Sequence, residues 1–234
     1  MKDKQVIAAC ILAAGLVLAG AMMPLSVNRM KSYDRKVDVK GLCEREVMAD
    51  KVIWPITYKV VGNDLGAAVA ETEKSNESII RFLKEGGIAE DEISISAPQI
   101  SDKYASEYGN NDRVYRFLCT NTITVCTSRV EQALALQRAT SDLIKKGIAI
   151  APNDWNSPVV FKYEALNDIK PEMIEEATAN AREAAQKFAK DSDSRLGKIK
   201  TASQGTFSIE DRDSNTPYIK KVRVVTYVTY YLDN

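Results

Sequence analysis

The feature that most constrains the fold is a strand–helix–strand–strand pattern that occurs twice along the chain. Asn63-Asp64 follows the apolar run Lys51–Val61, and Asn167-Asp168 follows the apolar run Pro158–Leu166. Each pair precedes a stretch with helical spacing of apolar residues, and two strand-like segments follow each helix. The pattern predicts an α+β fold in which helices pack on antiparallel sheets. Because Asn and Asp are common at helix starts, chance recurrence is the alternative to duplication.

The predicted body covers residues 37–234, and a chain of 234 residues is long enough for one large domain or two small ones. Val37–Met48 alternates apolar and polar side chains, which indicates a half-buried strand before the repeats. We place the first βαββ repeat at about residues 51–127 and the second at about residues 158–233. A further helix at residues 128–147 separates them.

Three residues are candidate helix caps, because Asp and Ser side chains accept hydrogen bonds from the first N–H groups of a helix. Asp64, or Asn63 beside it, precedes the first repeat helix, and Asp168 starts the second. Ser128 and Glu131 have the types and spacing of a capping box. These residues predict where helices begin and carry no chemistry of their own.

An uncharged apolar segment, Val6–Val27, precedes the body. A helix of about 20 apolar residues can cross the hydrocarbon core of a bilayer. Two early lysines resemble the basic start of a signal peptide, and Ala19-Gly20-Ala21 resembles its cleavage site. Since the apolar run continues beyond that site, we expect residues 1–27 to be a signal anchor, with a cleaved signal peptide as the alternative.

Residues 28–36 are polar and basic and are interpreted as a linker. The excess of positive charge after the apolar segment would, taken alone, keep the body in the cytoplasm. A signal-like segment favours export instead, and we expect export. The predicted membrane contact is therefore a single pass through residues 6–27.

Composition excludes several function classes. The chain has no histidine, which removes Ser-His and Cys-His nucleophile pairs and imidazole metal ligands. The first 36 residues hold six Lys/Arg and two acids, and the net charge of the whole chain is zero, so the body is mildly acidic. An acidic body lacks the basic surface that nucleic acid requires. We find no catalytic, cofactor-binding or metal-binding pattern, and we expect no cofactor.

The cysteines leave three alternatives open. Cys119 and Cys126 are seven residues apart on one predicted strand, where their side chains point to opposite faces and cannot bridge each other. Cys43 and Cys119 both lie on apolar strand faces and are the candidate disulfide or redox pair if their strands are neighbours. Buried free thiols are the first alternative, and a reactive thiol is the second.

Several segments together resemble the opening of the SIMPL-domain family: Val39–Val47, Ala49–Val52, Trp54-Pro55-Ile56 and Gly62-Asn63-Asp64-Leu65. The resemblance continues to the last strand pair and covers roughly residues 37–233. Members of this family include bacterial periplasmic proteins linked to oxidative stress, and outer-membrane or periplasmic antigens. The motifs are moderately specific, and the strand–helix order matters more than any single residue.

The resemblance implies an exported, membrane-associated or periplasmic protein that assembles into homo-oligomers. It carries no catalytic residues over to this chain. Our expectation is a non-enzymatic protein held in the inner membrane with its body in the periplasm, which self-associates and supports envelope integrity or tolerance of oxidative stress. One alternative is a thiol-dependent antioxidant that uses Cys43, Cys119 or Cys126. The other is a module that binds a small ligand or a partner protein.

Overall fold

The computed structural model describes residues 35–105, 114–151 and 158–233, together with the isolated positions 13 and 15. The predicted membrane segment 6–27 lies outside the described residues, apart from those two positions. Among the residues that are described, no helix is both long and apolar enough to span a bilayer. The α+β class and the antiparallel sheets predicted from the sequence are confirmed.

The chain divides into two compact units. Unit 1 comprises the described parts of Met1–Arg45, Asp168–Ser208 and Val222–Asn234, and unit 2 comprises those of Glu46–Asn167 and Ile209–Lys221. The first and last strands, β1 (Lys36–Met48) and β10 (Ile219–Asp233), contribute residues to both units.

Unit 2 is built on a six-stranded sheet with the order β3-β5-β2-β6, in which β4 also pairs with β5 and β7 with β2. Its elements are β2 (Lys51–Gly62), α1 (Leu65–Glu85), β3 (Ile93–Ile95), β4 (Gln99–Asp102), β5 (Phe117–Thr127), α2 (Val130–Arg138), α3 (Ser141–Lys145), β6 (Ala149–Ile150) and β7 (Val160–Lys162). The central antiparallel pair runs without a register shift from Val52 opposite Thr127 to Gly62 opposite Phe117.

The core of unit 2 follows from alternation on β2 and helical spacing on α1. Trp54, Ile56 and Tyr58 point to the same face of the sheet because they are two residues apart, and all three are buried. Ile79 and Leu83, four residues apart on α1, are fully buried in the same cluster. Burial of this apolar area is the main stabilising contribution in unit 2.

The second sheet has four strands, in the order β1-β10-β8 with β9 (Ser208–Asp211) also paired to β10. Strands β1, β10 and β8 form the sheet of unit 1, whereas β9 beyond Ser208 belongs to unit 2. Helix α4 (Leu166–Asp191) packs on this sheet, and β8 (Arg195–Gln204) follows it. The helix buries a stripe of alanines, Ala177, Ala181, Ala185 and Ala189. Small side chains let a helix backbone approach a sheet closely, and the many alanines of this segment predict such an approach from the sequence alone.

The close approach is tightest at Gly41 of β1. A methyl group built on Gly41 would overlap the carbonyl oxygen of Ala177 and come within 2.8 Å of the Ala181 methyl. The backbones of β1 and α4 therefore touch at a position that only glycine can occupy.

Each unit contains a long strand, a helix, an edge strand and a second long strand that returns beside the first. In unit 2 these are β2, α1, β3 with β4, and β5; in unit 1 they are β1, α4, β8 and β10. The structure thus differs from the predicted repeat at residues 158–233, whose first strand is predicted at residues 159–166. The strand there, β7, is only three residues long and pairs with β2, and β1 takes its place in unit 1.

Candidate functional site

The first Asn-Asp junction is structural. Oδ1 of Asp64 accepts a hydrogen bond from the Ala67 backbone N–H at 2.7 Å, so Asp64 caps α1 as predicted. Asn63 makes two hydrogen bonds to the residues just before β5. Its Oδ1 accepts from Arg116 N at 3.0 Å, and its Nδ2 donates to the Val114 carbonyl at 3.2 Å. Both side chains are therefore engaged within the fold.

The other two predicted caps need correction. Helix α4 begins at Leu166, so Asp168 lies inside its first turn, where a negative charge is favoured by the helix dipole. Helix α2 begins at Val130 with Arg129 before it and without a side-chain cap, so Ser128 is not the cap. Just before this helix, Oγ1 of Thr127 accepts from Arg129 N at 3.0 Å.

The three described cysteines are free thiols in different surroundings. Cys43 in unit 1 and Cys119 in unit 2 are each 1% exposed, and Cys126 is exposed. Cys126 lies opposite Ile53 on the face of the sheet that faces away from the core. The structure therefore contains one accessible thiol and two buried thiols among the residues it describes.

Cys43 belongs to a cluster of charged side chains on β1 and α4. Arg45 donates to Glu172 at 2.7 Å and to Glu176 at 3.2 Å, and the Cys43 thiol donates to Glu176. Burial raises the pKa of the Cys43 thiol, and the hydrogen bond to the Glu176 carboxylate and its negative charge raise that pKa further, against the opposing effect of Arg45. The cluster thus favours the neutral thiol, which is the less nucleophilic form.

The inner face of the unit 2 sheet carries a buried hydrogen-bond network. Tyr58 is fully buried, and its hydroxyl lies 2.8 Å from the Thr72 carbonyl and 2.7 Å from Oδ1 of Asn76. Nδ2 of Asn121, a residue only 2% exposed, donates to the same Asn76 oxygen at 3.0 Å. Oγ of Ser96 donates to Oδ1 of Asn121 at 3.0 Å. Burial raises the pKa of the Tyr58 hydroxyl, so it remains a neutral donor.

The sequence interpretation missed this network, although Asn121 gave a signal for it. On β5 the inward positions are Cys119, Asn121, Ile123 and Val125, so one carboxamide interrupts an apolar series. A buried amide without hydrogen-bond partners costs about 1–3 kcal/mol of folding free energy. A carboxamide at an inward-facing position is therefore expected to have hydrogen-bond partners on the elements that pack against the strand. The identity of these partners depends on the packing of α1 and could not be obtained from local pattern.

The described residues contain no cluster of three or more acidic or cysteine side chains that could hold a metal ion. The charged side chains that are close together, such as Asp102 and Arg116 at 2.8 Å, form ion pairs with each other.

One sheet edge in unit 1 is open. At the β1 edge, Nδ2 of Asn180 on α4 donates to the Leu42 carbonyl at 2.9 Å. Strand β8 pairs with β10 on one side, and no described strand pairs with its other side. Most of its side chains are exposed. An uncovered strand of this length presents a row of backbone donors and acceptors to a further strand.

Comparison with known proteins gives the family. The family model SIMPL, described as a protein of unknown function (DUF541), matches residues 37–230. The chain belongs to the SIMPL family. The match includes nearly all of both units, from β1 to most of β10, and agrees with the resemblance in the strand and junction motifs. A search of the curated proteins found no match to the chain.

Proposed function

We propose that this SIMPL-family chain is a non-enzymatic, exported protein that self-associates and supports envelope integrity or tolerance of oxidative stress. Residues 6–27 anchor it in the inner membrane, and its body stands in the periplasm on the linker 28–36. The uncharged segment supports the anchor, and the signal-like features of that segment support export.

The observation that carries the proposal is the open edge of β8. Strand addition at such an edge makes main-chain hydrogen bonds without a special side-chain motif. The large apolar side chains that are exposed in unit 1 are Leu42, Phe188, Ile199 and Tyr227, and Ile199 lies on β8 itself. Burial of such side chains in a contact between copies adds a hydrophobic contribution to the backbone pairing.

The corresponding edge of unit 2 is poorly suited to pairing. It consists of β3 and β4, which have three and four residues and are separated by a segment that contains Pro98. Short, interrupted strands with proline are a common protection of sheet edges. The contrast between this edge and the continuous ten-residue β8 favours unit 1 as the self-association surface.

Thiol-dependent chemistry has less support than self-association. The raised pKa of Cys43 favours the unreactive thiol, and Cys119 is as deeply buried as Cys43. Peroxide consumption by the purified protein that is lost in a Cys43→Ser, Cys119→Ser, Cys126→Ser triple variant would support the antioxidant alternative and count against the non-enzymatic proposal.

The test is the molar mass of the full chain in detergent, measured by multi-angle light scattering across micromolar concentrations. We expect an oligomer for the wild type and a shift toward the monomer for Ile199→Asp, because a carboxylate at the pairing surface must be desolvated. Ile144→Asp on α3 is the matched control, since Ile144 is 57% exposed and Ile199 45% exposed. A wild-type mass equal to the monomer, or equal masses for both variants, contradicts the proposal.

The mass of the mature protein shows whether residues 6–27 are retained, and this measurement tests the anchor separately from self-association. We expect peptides from residues 6–27 to remain in the membrane fraction. A mature chain that starts just after Ala21 would instead support the cleaved, free periplasmic form.

A further inference from the structure

Unit 2 contains a cavity that lies against the buried hydrogen-bond network. The cavity has a volume of about 200 Å³ and lies between helix α1 and the connection from β3 to β4, with β5 as its floor. It is lined by Val69, Thr72, Glu73, Asn76, Ile95, Ser96, Pro98, Cys119 and Asn121. At about 30 Å³ per water, this volume has room for several waters or one small organic molecule.

The network fixes the carboxamide of Asn76 in one orientation. Its Oδ1 accepts a hydrogen bond from Nδ2 of Asn121 at 3.0 Å and lies 2.7 Å from the Tyr58 hydroxyl, whose single proton is shared with the Thr72 carbonyl. Oδ1 of Asn121 accepts from Thr122 N, so its Nδ2 is the donor that faces Asn76. The atom of Asn76 that accepts from this donor is therefore the oxygen, and not the nitrogen. Nδ2 of Asn76 is then a donor at the cavity wall, and it has no hydrogen-bond partner among the residues that the structure describes.

The neighbouring polar groups are already satisfied. Nδ2 of Asn121 donates to Asn76, and its Oδ1 accepts from Ser96 Oγ and Thr122 N. The Thr72 hydroxyl donates to the Ala68 carbonyl at 2.8 Å. These bonds hold the cavity wall rigid and leave the Asn76 donor as the group that is ready for a ligand. A donor fixed in advance loses little entropy when the ligand binds.

Charge and polarity around the cavity define the ligand class. Its lining contains one carboxylate, Glu73, and no lysine or arginine. Anions are therefore disfavoured, because no cation compensates their loss of hydration. Val69, Ile95 and Pro98 give the cavity an apolar wall beside the Asn76 donor.

We propose that this cavity binds a small uncharged carbonyl compound. The carbonyl oxygen accepts a hydrogen bond from Nδ2 of Asn76, and the alkyl part packs against Val69, Ile95 and Pro98. This binding site goes beyond the proposed self-association, because it lies wholly in unit 2 and uses none of the residues of β8.

The probe is N,N-dimethylacetamide, a small neutral carbonyl compound, and isobutyrate is its anionic counterpart of similar size. Saturation-transfer NMR with the full chain in detergent measures the binding of each compound. We expect saturable binding of the amide and much weaker binding of isobutyrate. The amide should also slow the alkylation of Cys119 on the cavity floor by iodoacetamide, without slowing that of the exposed Cys126.

Two variants locate the binding. Asn76→Asp keeps an oxygen for Tyr58 and Asn121 but replaces the free donor, and we expect binding of the amide to become about tenfold weaker. Asn167→Asp, an exposed site in the first turn of α4, is the control and should bind like the wild type. Val69→Phe fills the cavity and should abolish binding even if Asn76→Asp fails to fold.

Two results would overturn the proposal. The first is an absence of saturable amide binding to the wild type together with unchanged alkylation of Cys119. The second is wild-type affinity in the folded Val69→Phe variant. Neither result affects the molar-mass test of self-association, so the failure of one proposal is distinguishable from the failure of the other.

Discussion

At the residue scale, Gly41 is the position where sequence and packing are most tightly linked. Any side chain there meets the backbone of α4, and a carbonyl oxygen in a helix cannot move aside as a flexible side chain could. The alanines opposite it follow from the same close approach. The alanine stripe was visible in the sequence, but its partner on β1 was not, because Gly41 and Ala177 are brought together only by the fold.

We expect Gly41→Ala to destabilise the protein by about 3 kcal/mol, since the added methyl group forces strand and helix apart. Urea unfolding followed by circular dichroism measures the loss. Gly66→Ala on α1 is the control, because the nearest atom to its added methyl is Asp64 Oδ1 at 3.4 Å. Alanine is also the better helix former, so the control should be neutral or slightly stabilising. Equal losses in the two variants would show that the contact at Gly41 does not limit packing.

Glu92 gives a prediction about pH. Burial alone would raise its pKa, but hydrogen bonds from Ala89 N and the Thr127 hydroxyl, together with the charge of Arg129, lower the pKa below its ordinary value. A lowered pKa in the folded state means that the ionised group stabilises the fold above the unfolded-state pKa. This contribution is lost as the pH falls through the folded-state pKa.

We therefore expect Glu92→Gln to cost about 2 kcal/mol at neutral pH, where the carboxylate is ionised. The difference in free energy of unfolding between wild type and variant should shrink as the pH is lowered below about 4. Urea titrations at a series of pH values measure it. A difference that stays constant down to pH 3 would show that the charge of Glu92 contributes nothing to the fold.

At the element scale, long periodic segments were predictable and short or non-local ones were not. The alternation of Val37–Met48 and Lys51–Val61 predicts β1 and β2, which the structure confirms. The Gly86-Gly87 pair predicts a helix end at about Glu85, and α1 ends there. The sequence pattern of Ile93–Tyr104 predicts one strand, but the structure has two, β3 and β4, separated by a segment that contains Pro98. Proline cannot donate to a sheet, and a window of alternating residues does not show which ladder it interrupts.

Pro55 is a second proline whose effect on the sheet could not be predicted from the sequence. A proline in a strand predicts an edge or a bulge, because it cannot donate to a ladder. On one side of β2, Pro55 pairs in register with Thr124 of β5. On the opposite side of β2, the β7 pairing ends at Ile53 and the β6 pairing begins at Tyr58. Pro55 thus lies between these two short pairings, where β2 makes no ladder bond to β6 or β7.

The helix caps give a matched pair of predictions. Asp64→Ala should destabilise the protein by about 1 kcal/mol, because the hydrogen bond to Ala67 N is lost. Ser128→Ala should change stability by less than about 0.5 kcal/mol, because the Ser128 side chain caps no helix. Thermal unfolding of both variants tests the pair. A larger loss for Ser128→Ala than for Asp64→Ala would contradict the assignment of the caps.

At the scale of the whole molecule, the two units share one topology, and the duplication inferred from the sequence stays a prediction. The boundaries of the second repeat could not be predicted, because the strand that completes unit 1 is β1, far from α4 in sequence. Non-local pairing of this kind leaves no local signature. The SIMPL family model matches residues 37–230. The proposed function depends on pairing between copies of the chain at the open edge of β8.

The most direct test of the proposed self-association is amide hydrogen exchange as a function of protein concentration. If copies pair through β8, the protection of Arg195–Gln204 should rise with concentration, while that of Gln99–Asp102 at the edge of unit 2 stays constant. Backbone pairing protects edge amides that are otherwise open to solvent. Protection of β8 that does not change with concentration, while light scattering detects an oligomer, would place the contact elsewhere and contradict the account.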